Sequence, residues 1–405
     1  MKYVMNNKRN FRILVVTPWF PNTPLDGGYN FIFHSIESLI AKNNKVSVAV
    51  TRPWTPPGLD FFIQEWRRPS LKKDLFDSSL NLQVYQYLSL PRNYCHYEVL
   101  ELFRWRMSHV IERMAQHISA QVIHVHTELT AIAAVPAAKR LGIPVVVTLH
   151  GINMAPRQLD SQKKRDRVQR TLGSADRVIL VGEPLRDHFA PLAGGDHNFC
   201  VVPNGFHLPE GLSRKKPIFE DSTVKLVSVS NLHEGKGVDI TLGALSLLLR
   251  RGVNNWKYVL VGDGDQRAEL EKICIREGLD EKVTFLGRLP HAAALEQLTD
   301  ADVFVLPSYR EAFGVAYLEA MSTGLVTIGI AGQGPEAFIR DGVNGFLVPP
   351  QDIPSLANRL EFVLKSPEQC RIIGEAGRNT VENEFTWEHH AEGLISLYAD
   401  VVGNG

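Results

Sequence analysis

The stretch Pro307-Ser308-Tyr309-Arg310-Glu311-Ala312-Phe313-Gly314-Val315-Ala316-Tyr317-Leu318-Glu319-Ala320-Met321-Ser322-Thr323-Gly324 decides the reading of this chain. It sets two carboxylates eight positions apart across a strand, a loop and a helix. The apolar run from Asp302 to Pro307 predicts a buried parallel strand, and the residues from Gly314 onward predict a helix closed by Gly324. Glu311 then falls on the loop at the carboxyl edge of a sheet, and Glu319 about one turn into the helix. Ligands of open α/β sheets bind at that edge, and backbone N–H groups at a helix start favour an anion. Two carboxylates beside an anion site are poorly suited to hold the phosphate itself. They are suited to accept hydrogen bonds from hydroxyls on both sides of it, such as those of a sugar and a ribose. The outline is that of a nucleotide-sugar site.

Working outward, strand and helix patterns alternate from end to end, which argues for βα units around parallel sheets. In the first half, β-branched runs occur at 13–17, 45–51, 122–126, 144–149 and 178–181, with helical patterns at 31–42, 97–118 and 130–141. The segment 206–222 is polar and aperiodic, with Pro209, Gly211, Pro217 and the run Arg214-Lys215-Lys216. An interdomain linker is expected there. The pattern then restarts with a strand at 225–229, a helix at 238–250, a strand at 258–261 and a helix at 266–277. Strands at 283–286, 302–306 and 326–330 follow, then helical stretches, the last at 386–401 carrying Trp387. The expected fold class is α/β, two doubly wound Rossmann-like domains facing each other across a cleft. The expected boundaries are 1–208 for the N-terminal domain, 209–222 for the linker, 223–385 for the C-terminal domain and 386–405 for a final helix.

Composition is that of an ordinary soluble globular protein, 44% hydrophobic and 22% charged over 405 residues, enough for two cores. Net charge is zero but unevenly spread. Residues 1–210 hold 25 Lys+Arg against 17 Asp+Glu, a net of +8, and residues 211–405 hold the remaining 19 against 27, a net of −8. Such an asymmetry implies different partners for the two domains. Cys95, Cys200, Cys274 and Cys370 are far apart and form no metal or redox spacing, which fits a reducing compartment. No run approaches the roughly 18 apolar residues of a membrane span, and residues 1–10 lack a signal-peptide core. The expected location is cytoplasmic, with peripheral contact at the inner membrane face left open and no nucleic-acid partner.

Several further motifs carry candidate chemistry. Ser228-Val229-Ser230-Asn231-Leu232-His233-Glu234-Gly235-Lys236-Gly237 follows the first strand of its domain and enters a helix. A lysine and a glycine-bearing turn there can clamp a diphosphate, or form a surface turn with a solvated lysine. Gly262-Asp263-Gly264-Asp265 lacks the third glycine of a dinucleotide fingerprint and reads as a tight turn capping the next helix, so no metal is assigned. Gly27 and Gly28 follow the first strand, where backbone can approach a phosphate. His150 ends another strand at the carboxyl edge, and His124, His126 and Glu128 end the strand before it. These last three line the acceptor side or act chemically, and the residues alone do not choose. The basic run 157–170 reads as a solvated helix face or as a surface for an anionic acceptor or phospholipid. Aromatics beside cations at Phe61-Phe62, Trp66-Arg67-Arg68 and Arg104-Trp105-Arg106 lie in the same domain.

Together these residues resemble the retaining, nucleotide-sugar-dependent glycosyltransferases of family 4, which have the two-domain GT-B architecture. The resemblance runs from Ile13 to the Trp387 helix. It is most specific at Glu311 to Glu319 and continues through Gly332-Gln333-Gly334-Pro335-Glu336, Asp341 to Val348, and Ser174 to Val178. It implies that Glu311 contacts the hydroxyls of the donor sugar, Glu319 the ribose, and Lys236 the diphosphate, with help from Gly27 and Gly28. It implies that Ala312, Phe313 and Gly314 complete the donor loop and that His150 lies beside the sugar. It also implies that the helix after Phe385 packs back on the first domain. Many members carry arginine where this chain has Asn231, so a diphosphate contact is missing or supplied by a cation such as Arg288. An acidic residue often found two positions after Asn-Gly is replaced by His207.

The expected activity is therefore metal-independent transfer of a hexosyl group, with retention, from a nucleoside-diphosphate sugar, UDP-linked in preference. The acceptor would be a hydroxyl of a saccharide, a lipid-linked saccharide or a small molecule, as in polysaccharide biosynthesis. No permanently bound cofactor is expected. The alternatives are a catalytically silent GT-B-like nucleotide-sugar-binding subunit and a related phosphorylase or epimerase.

Overall fold

The computed structural model describes residues 10–23, 30–54, 71, 76, 80–88, 96–151, 161–208, 214 and 217–403. The chain divides into two compact units. The first holds Met1–Val181, Leu185–Gly205 and Trp387–Gly405, and the second Gly182–Pro184 and Phe206–Thr386.

In the first unit, β1 (Arg12–Thr17), β2 (Lys45–Trp54), β3 (Asn81–Leu88), β4 (Val122–His126), β5 (Val145–Leu149), β6 (Arg177–Leu180) and β7 (Phe199–Val201) form one sheet of order β3-β2-β1-β4-β5-β6-β7. Every pairing is parallel. All residues of β4 and β5 are buried, because a parallel strand covered on both faces must be apolar or polar-but-paired along its whole length. The connecting helices are α1 (Asn30–Ala41), α2 (His96–His117), α3 (Glu128–Leu141), α4 (Gln162–Gly173) and α5 (Leu185–Ala193).

In the second unit, β8 (Val224–Val229), β9 (Trp256–Val261), β10 (Val283–Gly287), β11 (Val303–Val305), β12 (Val326–Ile330) and β13 (Phe346–Val348) are again all parallel, in the order β10-β9-β8-β11-β12-β13. The helices here are α6 (Val238–Arg250), α7 (Arg267–Glu277), α8 (His291–Thr299), α9 (Val315–Ser322), α10 (Ile353–Lys365) and α11 (Pro367–Glu384). The segment before β8 is tied down. The carboxylate of Asp302 accepts from the N–H of Phe219 and of Lys225, both at 2.7 Å, and Arg214 donates to the carbonyl of Ala301.

In each sheet the connections run outward in opposite directions from a central pair, β1 and β4 in the first and β8 and β11 in the second. Diverging connections open a crevice beyond the carboxyl ends of that pair, and ligands of doubly wound sheets bind there. The topology therefore places the loops after β8 and β11 together, and likewise those after β1 and β4.

The last helix, α12 (Trp387–Gly403), belongs to the first unit. Its Ala391, Leu394, Leu397, Tyr398 and Val401 share a core with Ile13 and Val15 of β1 and Ile32, Ile36 and Leu39 of α1. Burying a leucine of this kind contributes about 1.5–3 kcal/mol. Polar contacts fix the register of α12: His390 Nε2 lies 2.8 Å from Ser35 Oγ, and Lys42 donates to Glu392 at 2.6 Å.

Sequence reasoning missed three strands, β3, β7 and β13. All three are sheet edges, and the last two are only three residues long. No helix among the described residues is long and apolar enough to cross a membrane.

Candidate active site

The second unit builds its crevice from two stitched loops. Tyr309 N–H and Ser308 Oγ both donate to the carbonyl of Gly235, at 2.9 and 3.2 Å, joining the loop after β11 to the loop after β8. Gly237 opens α6 at φ +68°, and a Cβ there would meet the Pro307 carbonyl oxygen at 2.1 Å. Only glycine allows the two loops this close approach. The phenol of buried Tyr317 on α9 donates to the Leu306 carbonyl and braces the second loop from below.

That stitching brings Lys236 to Glu311. The ammonium donates to Glu311 Oε2 at 2.7 Å, with the two side chains 27% and 16% exposed. Gln333 Oε1 accepts the N–H of Glu311 at 3.1 Å, and the Glu311 carbonyl accepts from Gly334 N–H at 2.8 Å, so the backbone at Glu311 is held from both sides. Gly314 caps α9, and Glu319 lies one turn inside it, 13% exposed and 2.8 Å from His291 Nε2. The hydrogen bond to Glu319 raises the pKa of His291. Phe313 is buried against Phe338, with ring centroids 5.6 Å apart, and anchors the loop that carries Ala312 and Gly314. Asn231 is exposed in the loop after β8, and Arg288 is exposed just beyond β10. Ser230 Oγ, at the end of β8, is buried with no hydrogen-bond partner.

The Gly262 turn has a packing role. A Cβ at Gly262, which sits at φ +136°, would lie 1.8 Å from the Ser230 carbonyl oxygen. Asp263 accepts from the N–H of Gly264 and pairs with Arg267, while Asp265 pairs with His233 at 2.9 Å. Both carboxylates are engaged in holding the turn.

In the first unit the carboxyl ends of β4 and β5 carry an imidazole cluster in which His124 and His126 are buried and His150 is half-buried. His126 Nδ1 lies 2.8 Å from His150 Nε2, with the rings stacked at 5.1 Å. His124 lies 4.5 Å from His126, centroid to centroid, with Nδ1 2.6 Å from the phenol of Tyr398 and Nε2 2.7 Å from Thr148 Oγ1. Register explains the grouping: β4 and β5 pair His126 with Thr148, so the residue two beyond Thr148 projects beside His126. His150 packs against Phe31 and Trp19, and its Nδ1 is buried without a partner. Burial, reinforced by mutual repulsion of their charged forms, keeps these histidines neutral. His124 and His126 are pushed well below the usual histidine value and His150 down to about 3. On α12, burial takes His390 to about 4, and its Nδ1 donates to the Pro203 carbonyl at 2.6 Å.

Glu128 opens α3 and is buried, with Oε2 unpartnered. Burial raises its pKa to about 7, against the pull of its own backbone N–H. Gly27 and Gly28 lie outside the described residues, as do the aromatic-basic segments at 61–62 and 66–68 and the first residues of the basic run at 157–160.

The structure thus joins Lys236 to Glu311 and His126 to His150. Sequence reasoning missed Gln333, His291, Ser230, His390 and Tyr398. The first falls inside the quoted Gly332-to-Glu336 block, whereas nothing local marks Tyr398, 274 positions from His124.

Comparison with known proteins fits this geometry. The family profile described as Glycosyltransferase Family 4 matches residues 25–209, and that described as Glycosyl transferases group 1 matches 210–380. The chain belongs to the family 4, group 1 glycosyltransferases. This glycosyltransferase is 25% identical to a glycogen synthase of Mycobacterium tuberculosis over 405 residues, 96% of this chain and 94% of that protein. Its fold is GT-B. It is similar to sucrose-phosphate synthase from Thermosynechococcus elongatus, with TM-score 0.71, 21% identity, and coverage of 98% of this chain and 100% of that one. It is similar also to Anabaena HepE solved with UDP, with TM-score 0.70, 20% identity, and coverage of 96% and 100%.

Proposed function

We propose that this glycosyltransferase moves a hexosyl group, with retention, from a nucleoside-diphosphate sugar to an acceptor hydroxyl, and that UDP-sugars are its preferred donors. The observation that carries the reading is the Lys236–Glu311 pair at the switch point of the second sheet, with Glu319 one turn into the helix that follows. A cation and two carboxylates at one crevice suit a diphosphate with hydroxyl-bearing groups on either side. HepE, of the same fold, was solved with UDP, which supports the choice of base.

In this proposal Lys236, the Gly27–Gly28 backbone and the amino end of α9 at Gly314 stabilise the leaving diphosphate, the kind of electrostatic term usually largest in catalysis. Glu311 accepts hydrogen bonds from sugar hydroxyls, Glu319 from the ribose, and His150 orients the sugar. Asn231 and Arg288 complete the donor side, and His126 and Glu128 belong to the acceptor side of the first unit. The bond from the anomeric carbon to the diphosphate oxygen breaks with its electron pair going to phosphate. The acceptor oxygen forms the new bond on the same face and passes its proton to the departing phosphate oxygen. No metal ion and no covalent sugar–enzyme intermediate takes part.

The test is binding and acceptor-free hydrolysis across UDP-, GDP-, ADP- and dTDP-sugars, with Glu319→Ala as control. Selective binding of one donor, lost in the variant, is the expected result. Absence of binding to every donor would refute the reading.

A second proposal concerns the acceptor. Helix α4 carries Lys163, Lys164, Arg165, Arg167 and Arg170 on twelve residues, and Trp105 of α2 is 63% exposed between two arginines. These features suit an anionic lipid surface presenting a lipid-linked hydroxyl. Cosedimentation with phosphatidylglycerol vesicles at low salt, lost in pure phosphatidylcholine, is the expected outcome.

A further inference from the structure

The cluster on β4 and β5 contains a contact whose consequence reaches beyond packing. His126 Nδ1 and His150 Nε2 are 2.8 Å apart, and burial keeps both rings uncharged. Between two neutral imidazoles one nitrogen must donate and the other accept. Only two proton arrangements exist. If His126 Nδ1–H donates, the proton of His150 is forced onto its own Nδ1. If His150 Nε2–H donates, Nδ1 of His150 is a bare acceptor.

Two independent arguments select the second arrangement. First, it gives both rings their proton on Nε2, the preferred tautomer of a neutral histidine side chain in water, whereas the first puts both in the less favoured form. Second, His150 Nδ1 is buried without a partner. A buried orphan N–H is rarer, and costlier, than an under-used acceptor.

We propose that His126 is a positioning residue that locks His150 in the Nε2–H tautomer, so that His150 Nδ1 presents an acceptor lone pair to a substrate hydroxyl. The surroundings keep the pair rigid. His150 is packed by Phe31 at 4.7 Å and Trp19 at 6.1 Å, and His126 is backed by His124, itself tied to Tyr398 and Thr148. A ring held this way keeps one tautomer and one orientation, which is the preorganisation that catalysis rewards. This inference rests on the proposal that His150 contacts the donor sugar.

The experiment uses the full chain with ring-¹⁵N histidine at pH 8, read by long-range ¹H–¹⁵N correlation, with His150→Gln assigning the signal. In the wild type, His150 should show a pyrrole-type Nε2 and a pyridine-type Nδ1. His126→Ala should mix the two tautomers. His126→Asn, whose Oδ1 takes the place of Nδ1, should restore the single tautomer, and His126→Gln, which reaches only the Nε2 position, should not. Acceptor-free hydrolysis of the selected UDP-sugar should fall about tenfold in kcat in His126→Ala, with KM little changed, and recover in His126→Asn. A wild-type His150 with its proton on Nδ1, or one averaging both tautomers, would overturn the proposal, as would an unchanged tautomer in His126→Ala. If the tautomer result holds but His150→Ala keeps full turnover, the donor-sugar role of His150 fails and tautomer selection stands.

Discussion

The Lys236–Glu311 pair makes a prediction that separates binding from turnover. The ammonium is paired with Glu311 at 2.7 Å, and both side chains are largely shielded from solvent. Exposed ion pairs contribute about 0.2–1 kcal/mol, while breaking a buried one costs about 3–5 kcal/mol. With the two side chains 27% and 16% exposed, the pair sits between those limits. A diphosphate must draw the ammonium from the carboxylate or share it. Glu311→Gln removes the competing charge, so UDP affinity should hold or rise by up to about fivefold, equivalent to about 1 kcal/mol. Lys236→Ala removes a charge-assisted bond of about 1.5–3 kcal/mol, so the Kd for UDP should rise by about 10- to 150-fold. Turnover of the UDP-sugar should fall in both, by about 10- to 100-fold in Glu311→Gln if the carboxylate accepts sugar hydroxyls. Calorimetry with UDP alone, set beside a continuous assay of UDP release, measures the two separately. If Glu311→Gln weakens UDP as much as Lys236→Ala does, or if Lys236→Ala binds UDP normally, the division of labour argued here is wrong.

Three further outcomes follow from the same geometry. His291 should titrate above the usual histidine value in the free chain and return towards it in Glu319→Gln, and NMR titration should show the same drop when UDP engages Glu319. Stability should depend on pH with two opposite signs. The histidines His124, His126, His150 and His390 have depressed folded pKa values, so they hold full stability above about 6.5 and lose it as pH falls towards 4, by up to about 1.4 kcal/mol per pH unit for each. Glu128 has a raised folded pKa, so its contribution is complete below 4.5 and is lost as pH rises through about 7. Thermal melts of Glu128→Gln should therefore gain on the wild type at pH 8 and not at pH 4.5. Finally, Tyr398→Phe should leave His124 Nδ1 buried and unpaired, lowering stability by about 1–3 kcal/mol in denaturant melts.

Much of this was legible in the chain because the signals are local. The strand-loop-helix junction from Asp302 to Gly324 carries its own periodicity, its own caps and both carboxylates within 23 residues. Lys236 could be placed because a strand precedes it and a helix follows. What escaped was long-range or short. Strands β7 and β13 have three residues each, too few to show a period, whereas β3 does alternate at Asn81-Leu82-Gln83-Val84, a local signal that was passed over. His124, His126 and His150 were marked by their places at strand ends, but Tyr398, which ties down His124, comes from a helix 274 positions away, and no spacing rule links it to β4. His291 escaped because it begins α8, outside any motif. Its partnership with Glu319 exists only once α8 and α9 pack side by side.

The two sheets share one topology around their central strands, yet their crevices differ in electrostatic character, and that difference constrains what each can hold. The crevice of the second sheet presents an ammonium and two carboxylates, all partly open to solvent, so charged groups there keep much of their hydration. Such a crevice can take a diphosphate because Lys236 offers a counter-charge and Glu311 and Glu319 offer acceptors to hydroxyls flanking it. At β4 and β5 of the first sheet the opposite holds. Its histidines are all neutral, Glu128 is half protonated near pH 7, and aromatic rings enclose His150. An ionised phosphate placed among these neutral rings would be desolvated with no charged partner from the cluster itself. An uncharged polyhydroxyl group would find acceptors and apolar faces instead. By this chemistry a diphosphate suits the second crevice, with hydroxyls accepted at Glu311 and Glu319, whereas the neutral cluster at β4 and β5 suits further uncharged hydroxyls. A substitution that charges the imidazole cluster, such as His126→Asp, should therefore damage turnover while leaving UDP affinity intact.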